Sequence, residues 1–100
     1  MLSISGLTFH PSVSYVSGGY VTIGTLVVVN IRLQVNTKIT AGATGTEIIT
    51  GFPTYNGLNR VAAISQYDID MALWNNGNIV LGVDNEIGTG TLIINAYYVQ

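Results

Sequence analysis

The most constraining feature of this sequence is an alternation of apolar and polar residues with period two, clearest over residues 25–37. Five aliphatic residues share one face of this segment and polar residues share the other: Val27, Val29, Ile31, Leu33 and Val35 against Asn30, Arg32, Gln34 and Asn36. Successive side chains of a strand point to opposite faces, so we expect the aliphatic face to line a core. No segment shows a convincing 3.6-residue period, so the pattern predicts an all-β chain.

Shorter apolar runs, separated by turn residues, extend this pattern along the chain. Strands are expected at 2–9, 12–17, 20–23, 25–37, 47–50, 61–65, 69–74, 79–83 and 91–100, with turns or loops at 17–19, 41–45, 51–53 and 84–90. The strongest hairpin signal is Asn75-Asn76-Gly77, which joins two alternating runs. About eight or nine short strands at this spacing predict a small antiparallel β-sandwich, jelly-roll-like in organisation. No linker or repeat divides the chain, so residues 1–100 are expected to form a single domain.

The last predicted strand, residues 91–100, is apolar on one face and largely apolar or aromatic on the other. One face carries Leu92, Ile94, Ala96 and Tyr98, and the other carries Thr91, Ile93, Asn95, Tyr97 and Val99. Because adjacent strand residues point in opposite directions, at most one of Tyr97 and Tyr98 can lie in the core. A strand of this kind is expected either at the centre of the sandwich or at a subunit contact.

The chain carries unusually little charge. Charged residues make up 8% of the sequence and the net charge is −2, against about 25% charged residues in a typical soluble domain. A neutral surface is readily buried against another chain, so we expect a homo-oligomer. Three scattered cations, Arg32, Lys38 and Arg60, cannot form the basic stripe that nucleic acid requires. No apolar run reaches the roughly 18 residues of a membrane span, so no membrane insertion is expected.

The residues available for chemistry favour a protein that is not an enzyme. There is no cysteine, and the only histidine is His10, followed directly by Pro11. No nucleophile elbow, glycine-rich phosphate loop or cofactor motif is present, so we expect no cofactor. The simplest interpretation of His10 is a strand-end residue facing solvent or a neighbouring loop; the alternative is a ligand-binding or pH-sensitive contact.

Carboxylates near the predicted hairpin raise the alternatives of catalysis and of metal binding. Asp68 and Asp70 would share one face of a strand with their Cβ atoms about 7 Å apart, a pattern that a glycosidase could use. Together with Asp84 and Glu86 they could supply oxygen ligands to calcium, but their spacing matches no EF-hand loop. Solvated carboxylates in turns explain the same pattern, so we expect neither catalytic residues nor a metal site.

Trp74 is the residue that most favours ligand binding. It is the only tryptophan and precedes the asparagines of the predicted hairpin. Saccharides bind an aromatic plate beneath their C–H face, with amides and carboxylates reaching their hydroxyls. These groups are supplied by Trp74, Asn76, Asp70 and Asp68. A further candidate contact is His10. The alternative is that Trp74 packs in the core or between subunits.

Four segments resemble the C-terminal head of a bacteriophage or prophage tail-fibre or baseplate receptor-binding protein. They are Gly24 to Asn30, Thr46 to Pro53, Asn76 to Ile79 and Gly90 to Tyr98. These short motifs lie within residues 20–100. The resemblance implies a homotrimeric β-sandwich at the fibre tip, part of the virion, which contacts other tail proteins and recognises host cell-surface saccharide near a protomer boundary. No coiled-coil or collagen-like stem, which usually precedes such heads, is present.

The sequence therefore leaves three hypotheses. The first is a non-enzymatic receptor-binding head that takes carbohydrate through Trp74, its neighbouring amides and Asp70. The second is a structural tail or capsid-decorating domain whose surface serves subunit packing. The third, a lyase or hydrolase, requires that Asp68, Asp70 or His10 converge in one pocket across subunits.

Overall fold

A computed structural model describes residues 2–54, 60–62, 64–65, 71–74 and 76–100, with the backbone alone described at 60–62 and 64–65. These residues form an all-β structure built from antiparallel sheets, and none of them is helical. A helix long and apolar enough to cross a membrane is accordingly not found among them. The all-β prediction is confirmed.

Eleven strands make up the described structure. They are β1 (Thr8–Phe9), β2 (Val13–Ile23), β3 (Leu26–Val35), β4 (Ile39–Thr40), β5 (Thr46–Thr50), β6 (Arg60–Ala62), β7 (Ile64–Ser65), β8 (Met71–Trp74), β9 (Ile79–Leu81), β10 (Glu86–Ile87) and β11 (Gly90–Val99). A five-stranded sheet has the order β1-β5-β9-β8-β6, a four-stranded sheet the order β2-β3-β11-β7, and β10 pairs with β4. The small sheet corrects the prediction that 84–90 is only a turn, because Ile87 pairs with Ile39 and is buried.

The central strands of the four-stranded sheet behave as their alternation predicts. The five aliphatic residues of β3 assigned to the core are all buried, as are Leu92, Ile94, Ala96 and Tyr98 of β11. Their register brings Ile31 opposite Ile94 and Leu33 opposite Leu92. Tyr98 is 5% exposed and Tyr97 is 71% exposed, which confirms that only one of the two tyrosines enters the core.

The core lies between the two larger sheets. The buried residues of β3 and β11 belong to the same hydrophobic cluster as the buried residues of β5, β8 and β9, which include Ile49, Leu73, Ile79 and Leu81. Each fully buried aliphatic side chain stabilises the folded state by about 1.5–3 kcal/mol relative to the same side chain exposed to solvent. The fold therefore has an inner apolar face on each sheet and leaves the outer faces to interact with solvent or ligands.

The predicted turn at Ser17-Gly18-Gly19 is wrong. β2 continues through these residues, and the register against β3 shifts between Tyr15 and Ser17, which marks a β-bulge. A Cβ on Gly18 would lie 2.1 Å from the Asn30 carbonyl oxygen, and one on Gly19 would lie 2.2 Å from the Ser3 carbonyl oxygen. Both residues have positive φ, 85° and 146°. The glycines therefore allow neighbouring backbones to approach β2 closely beside the bulge, and the frequent occurrence of glycine in turns does not reveal this use.

The N-terminal segment also differs from the predicted strand over residues 2–9. Only Thr8 and Phe9 form a strand, which pairs with β5. Ser3 instead makes an isolated antiparallel bridge with Tyr20 at the edge of β2. The segment therefore contacts both larger sheets: β1 forms the edge of the five-stranded sheet, and Ser3 bridges to the edge of the four-stranded sheet.

Candidate functional site

The predicted hairpin is present and places Trp74 at its mouth. Within it, β8 pairs with β9 so that Leu73 lies opposite Ile79 and Ala72 opposite Val80. The backbone N–H of Trp74 donates to the Asn78 carbonyl at 2.9 Å, and the backbone N–H of Gly77 donates to the Trp74 carbonyl at 2.9 Å. Since Leu73 is buried in the core, Trp74 points to the outer face of the sheet, where 37% of its surface is exposed. The core-packing alternative for Trp74 is therefore wrong.

The connection between β8 and β9 is held against the segment that follows β5. The Phe52 N–H donates to the Gly77 carbonyl at 3.0 Å, and Gly77 is buried with φ at +88°. The Asn76 side-chain oxygen accepts a hydrogen bond from the Asn78 N–H at 3.2 Å. These contacts hold the Asn76 amide beside the hairpin mouth and reduce the entropy that a ligand must remove on binding.

A carboxylate from another strand joins this group. Glu47 lies on β5, opposite Val80 of β9, and its carboxylate accepts a hydrogen bond from the Asn78 side-chain amide. Glu47 is exposed, whereas Asn78 is half-buried. The contact orients one carboxylate oxygen towards the hairpin and leaves the second oxygen available to a further donor.

These side chains line a shallow groove on the outer face of the five-stranded sheet, here called the Trp74 groove. A cleft of about 400 Å³ is lined by Thr44, Gly45, Glu47, Trp74, Asn76 and Val80. A second cleft of about 190 Å³ shares Thr44, Gly45, Trp74 and Val80 with it and continues past Ala72 towards Val83. The groove thus combines an indole wall and an aliphatic floor with a hydroxyl, an amide and a carboxylate.

The sequence-predicted site residues divide into three groups. Trp74 and Asn76 both line the groove. Asp68 and Asp70 lie outside the described residues, so their participation stays a prediction. His10 does not line either cleft of the groove; its side-chain Nδ1 accepts a hydrogen bond from the Ser12 backbone N–H at 3.0 Å, and the backbone N–H of His10 donates to the Ile48 carbonyl at 2.8 Å. These bonds give His10 a role in the turn between β1 and β2.

Sequence reasoning missed Glu47 and Thr44 as groove residues. Both are about 30 residues from Trp74 in the chain, and they reach it because β5 pairs with β9, which in turn pairs with β8. Register between distant strands depends on the fold, which local alternation does not encode. The available signal was the lone Glu47 in an otherwise uncharged strand.

The same geometry bears on the alternative of metal binding. No group of three or more His, Asp or Glu residues that could hold a metal ion occurs within the described part of the chain. Of the predicted acidic candidates that are described, Glu86 pairs with Lys38 at 2.9 Å on the surface. The observed role of that carboxylate is thus a surface ion pair.

Comparison of the chain with protein-family models, with curated proteins and with solved structures found no match.

Proposed function

We propose that this protein is a binding module that takes a saccharide at the Trp74 groove without transforming it. The observation that carries the proposal is the exposed indole of Trp74 beside the fixed Asn76 amide and the Glu47 carboxylate. A pyranose ring offers an apolar C–H face to an aromatic plate and hydroxyls to the surrounding polar groups. The arrangement of the groove matches these two requirements.

The charge of the groove indicates which saccharides fit. Glu47 is the charged residue among those lining the described groove. A carboxylate accepts hydrogen bonds from hydroxyls, and such charge-assisted bonds contribute about 1.5–3 kcal/mol. An acidic sugar would bring a like charge to the same site, which disfavours its binding. The proposed ligand is therefore a neutral saccharide.

The biological setting is proposed from the sequence resemblance. In this setting the domain is the receptor-binding head of a phage tail, located in the virion and acting on host cell-surface saccharide. The homotrimer and the contacts with other tail proteins remain predictions of the same resemblance, and the jelly-roll topology remains a prediction from the number and spacing of the strands. The alternative function is a structural tail or capsid-decorating domain. The exposed apolar face of the four-stranded sheet favours subunit packing and keeps this alternative open.

Calorimetric titration with a panel of neutral and acidic saccharides, extended to millimolar concentration, tests the proposal. We expect a neutral sugar to bind and Trp74→Ala to weaken its binding at least about tenfold, equivalent to about 1.4 kcal/mol. Tyr97→Ala is the matched control, because it removes an exposed aromatic ring outside the groove, and it should leave binding unchanged. Recovery of the unmodified sugar after incubation tests the expectation that no catalysis occurs.

Two outcomes would contradict the proposal. Absence of binding by every saccharide at millimolar concentration would remove the function. Binding that survives Trp74→Ala unchanged would remove the groove as its site. Glu47→Gln provides a finer test, because it keeps a side-chain oxygen for Asn78 and removes the charge; we expect it to reduce the preference for neutral over acidic sugars.

A further inference from the structure

The two ends of the Trp74 groove differ in chemistry. Glu47 and Asn76 line its larger cleft, of about 400 Å³, but not its smaller cleft. The described residues that line only the smaller cleft, of about 190 Å³, are Ala72, Leu81, Gly82 and Val83. Each of these has a hydrocarbon side chain or, in glycine, none. This end of the groove, here called the Val83 end, is therefore apolar, whereas the opposite end carries a carboxylate and an amide.

Strand pairing builds the floor of the Val83 end. Ala72 of β8 lies opposite Val80 of β9, and the adjoining pair, Leu73 and Ile79, is buried in the core. Successive strand residues point to opposite faces, so Ala72 and Val80 point to the outer face. The single methyl group of Ala72 leaves depth above β8 that a larger side chain would fill.

The wall of the groove depends on Gly45. A Cβ on this residue, whose φ is +81°, would lie 2.8 Å from the Leu81 carbonyl oxygen and 3.1 Å from the Val80 Cγ1. Glycine therefore lets this segment approach β9 more closely than another residue would allow. The approach places Thr44, which lines both clefts, beside the floor and supplies the groove with a hydroxyl between its two ends.

Backbone carbonyls at the Val83 end already have hydrogen-bond partners. The Gly82 carbonyl accepts from the Asn85 backbone N–H at 3.1 Å, and the Val83 carbonyl accepts from the Asn85 side-chain amide at 3.0 Å. The Asn85 carbonyl in turn accepts from the Ala41 N–H at 2.8 Å, which holds the turn against the segment between β4 and β5. Asp84, the charged residue of this turn, lines neither cleft. A ligand at the Val83 end therefore meets mainly hydrocarbon.

We propose that the Val83 end takes a methyl group of the bound saccharide, of the kind carried by a 6-deoxy sugar or an N-acetyl sugar. The proposal rests on the proposed function and names the substituent that selects among neutral sugars. A hydroxyl placed at this end gives up its hydrogen bonds to water without replacement, which is unfavourable. A methyl group instead gains free energy on leaving water. The selected ligand thus presents hydroxyls to Glu47 and Asn76 and a methyl group to the Val83 end.

One sugar unit is long enough to reach both ends. Ala72, Val80 and Glu47 lie in one row across β8, β9 and β5. Adjacent strands are about 4.8 Å apart, so the Cα atoms of Ala72 and Glu47 are about 10 Å apart. This separation suits one pyranose ring with a substituent on each side. The carboxylate and the apolar end therefore act on the same sugar unit.

Calorimetric titration of matched sugars tests the proposal. The panel compares D-glucose, D-galactose and D-mannose with the 6-deoxy and the N-acetylamino counterpart of each. Burial of one methyl group predicts that a methyl-bearing sugar binds at least about fourfold more tightly than its parent hexose. A gain confined to the 6-deoxy series assigns the Val83 end to the C6 methyl group, and a gain confined to the N-acetyl series assigns it to the acetyl methyl group.

Val83→Thr tests whether the methyl group lies where the groove is apolar. The variant replaces one methyl group of the protein by a hydroxyl and keeps the branched shape, and Val83 is 50% exposed, so the fold should tolerate it. It should remove most of the preference for the methyl-bearing sugar and change the affinity for the parent hexose by less than about twofold. Val16→Thr is the matched control, because Val16 is 51% exposed on β2 of the other large sheet; it should leave the preference unchanged.

Two results would overturn this proposal and leave the proposed function in place. One is equal or tighter binding of the parent hexoses; the other is a methyl preference that Val83→Thr leaves undiminished, since the methyl group would then lie elsewhere. Absence of binding by every sugar would instead remove the proposed function, and this inference with it. Circular dichroism of each variant confirms that a loss of preference does not come from unfolding.

Discussion

Replacing Gly77 by alanine is expected to lower the free energy of unfolding more than the same replacement at a glycine that has open space around it. Gly77 has φ at +88°, and a Cβ there would lie 2.1 Å from the Phe52 carbonyl oxygen and 3.0 Å from its carbon. Both contacts are with backbone, which cannot turn aside as a flexible side chain can. The hairpin that carries Trp74 would have to separate from Phe52.

The magnitude follows from three contributions. A left-handed conformation costs an L-residue about 1–2 kcal/mol. Separation also weakens the hydrogen bond from the Phe52 N–H to the Gly77 carbonyl, 3.0 Å long, whose loss costs about 1 kcal/mol. It further disturbs the buried Phe52 ring, which packs edge-on against Tyr20 with ring centroids 5.7 Å apart. We expect a total loss of about 3 kcal/mol, equivalent to a decrease in Tm of at least about 12 °C for a chain of this length.

Urea unfolding followed by circular dichroism measures this loss, with Gly24→Ala and Gly88→Ala as controls. Gly24 has φ at +61°, but a Cβ added there would meet nothing within 4 Å, so its replacement reports backbone strain alone. Gly88 has open space and no positive φ, so its replacement should change the free energy of unfolding by no more than about 0.5 kcal/mol. All variants must be compared at one protein concentration, because self-association would contribute to the measured stability.

The expected order of destabilisation is Gly77→Ala, then Gly24→Ala, then Gly88→Ala. Equal losses for Gly77→Ala and Gly24→Ala would refute the reasoning, because the overlap with Phe52 would then contribute nothing. A Gly77→Ala loss below about 1 kcal/mol would show that the hairpin moves away from Phe52 without cost.

Two further substitutions test individual contacts. Tyr98→Phe removes the hydroxyl that donates to the Pro53 carbonyl at 2.6 Å and should lower the free energy of unfolding by about 1 kcal/mol, measured by urea unfolding; no change would show that water replaces the contact. Glu86→Gln breaks the ion pair with Lys38, whose side chains are both more than half exposed. It should change Tm by no more than a few degrees at low or high salt, and a large salt-dependent decrease in a thermal melt would contradict this.

The parts of the fold that sequence predicts are those in which burial alone decides a side chain's direction. If β3 or β11 turned its other face to the core, its aliphatic side chains would be exposed to solvent. The polar residues between them would then bury amide or guanidinium groups. Ile31 and Arg32 illustrate the contrast, since Ile31 is completely buried and Arg32 is exposed. The difference in free energy between these two orientations of the strand is large and depends on the strand's own residues, so the alternation determines which face is buried.

The parts that sequence does not predict depend on contacts between distant strands. Gly18 reads as a turn residue, yet its conformation is set by the carbonyl of Asn30 on the neighbouring strand. Glu47 joins the groove because β5 shifts its register against β9 between Glu47 and Ile49. Register is a property of the assembled sheet. Local pattern therefore found the hairpin and Trp74 but could not identify the carboxylate that lies beside it.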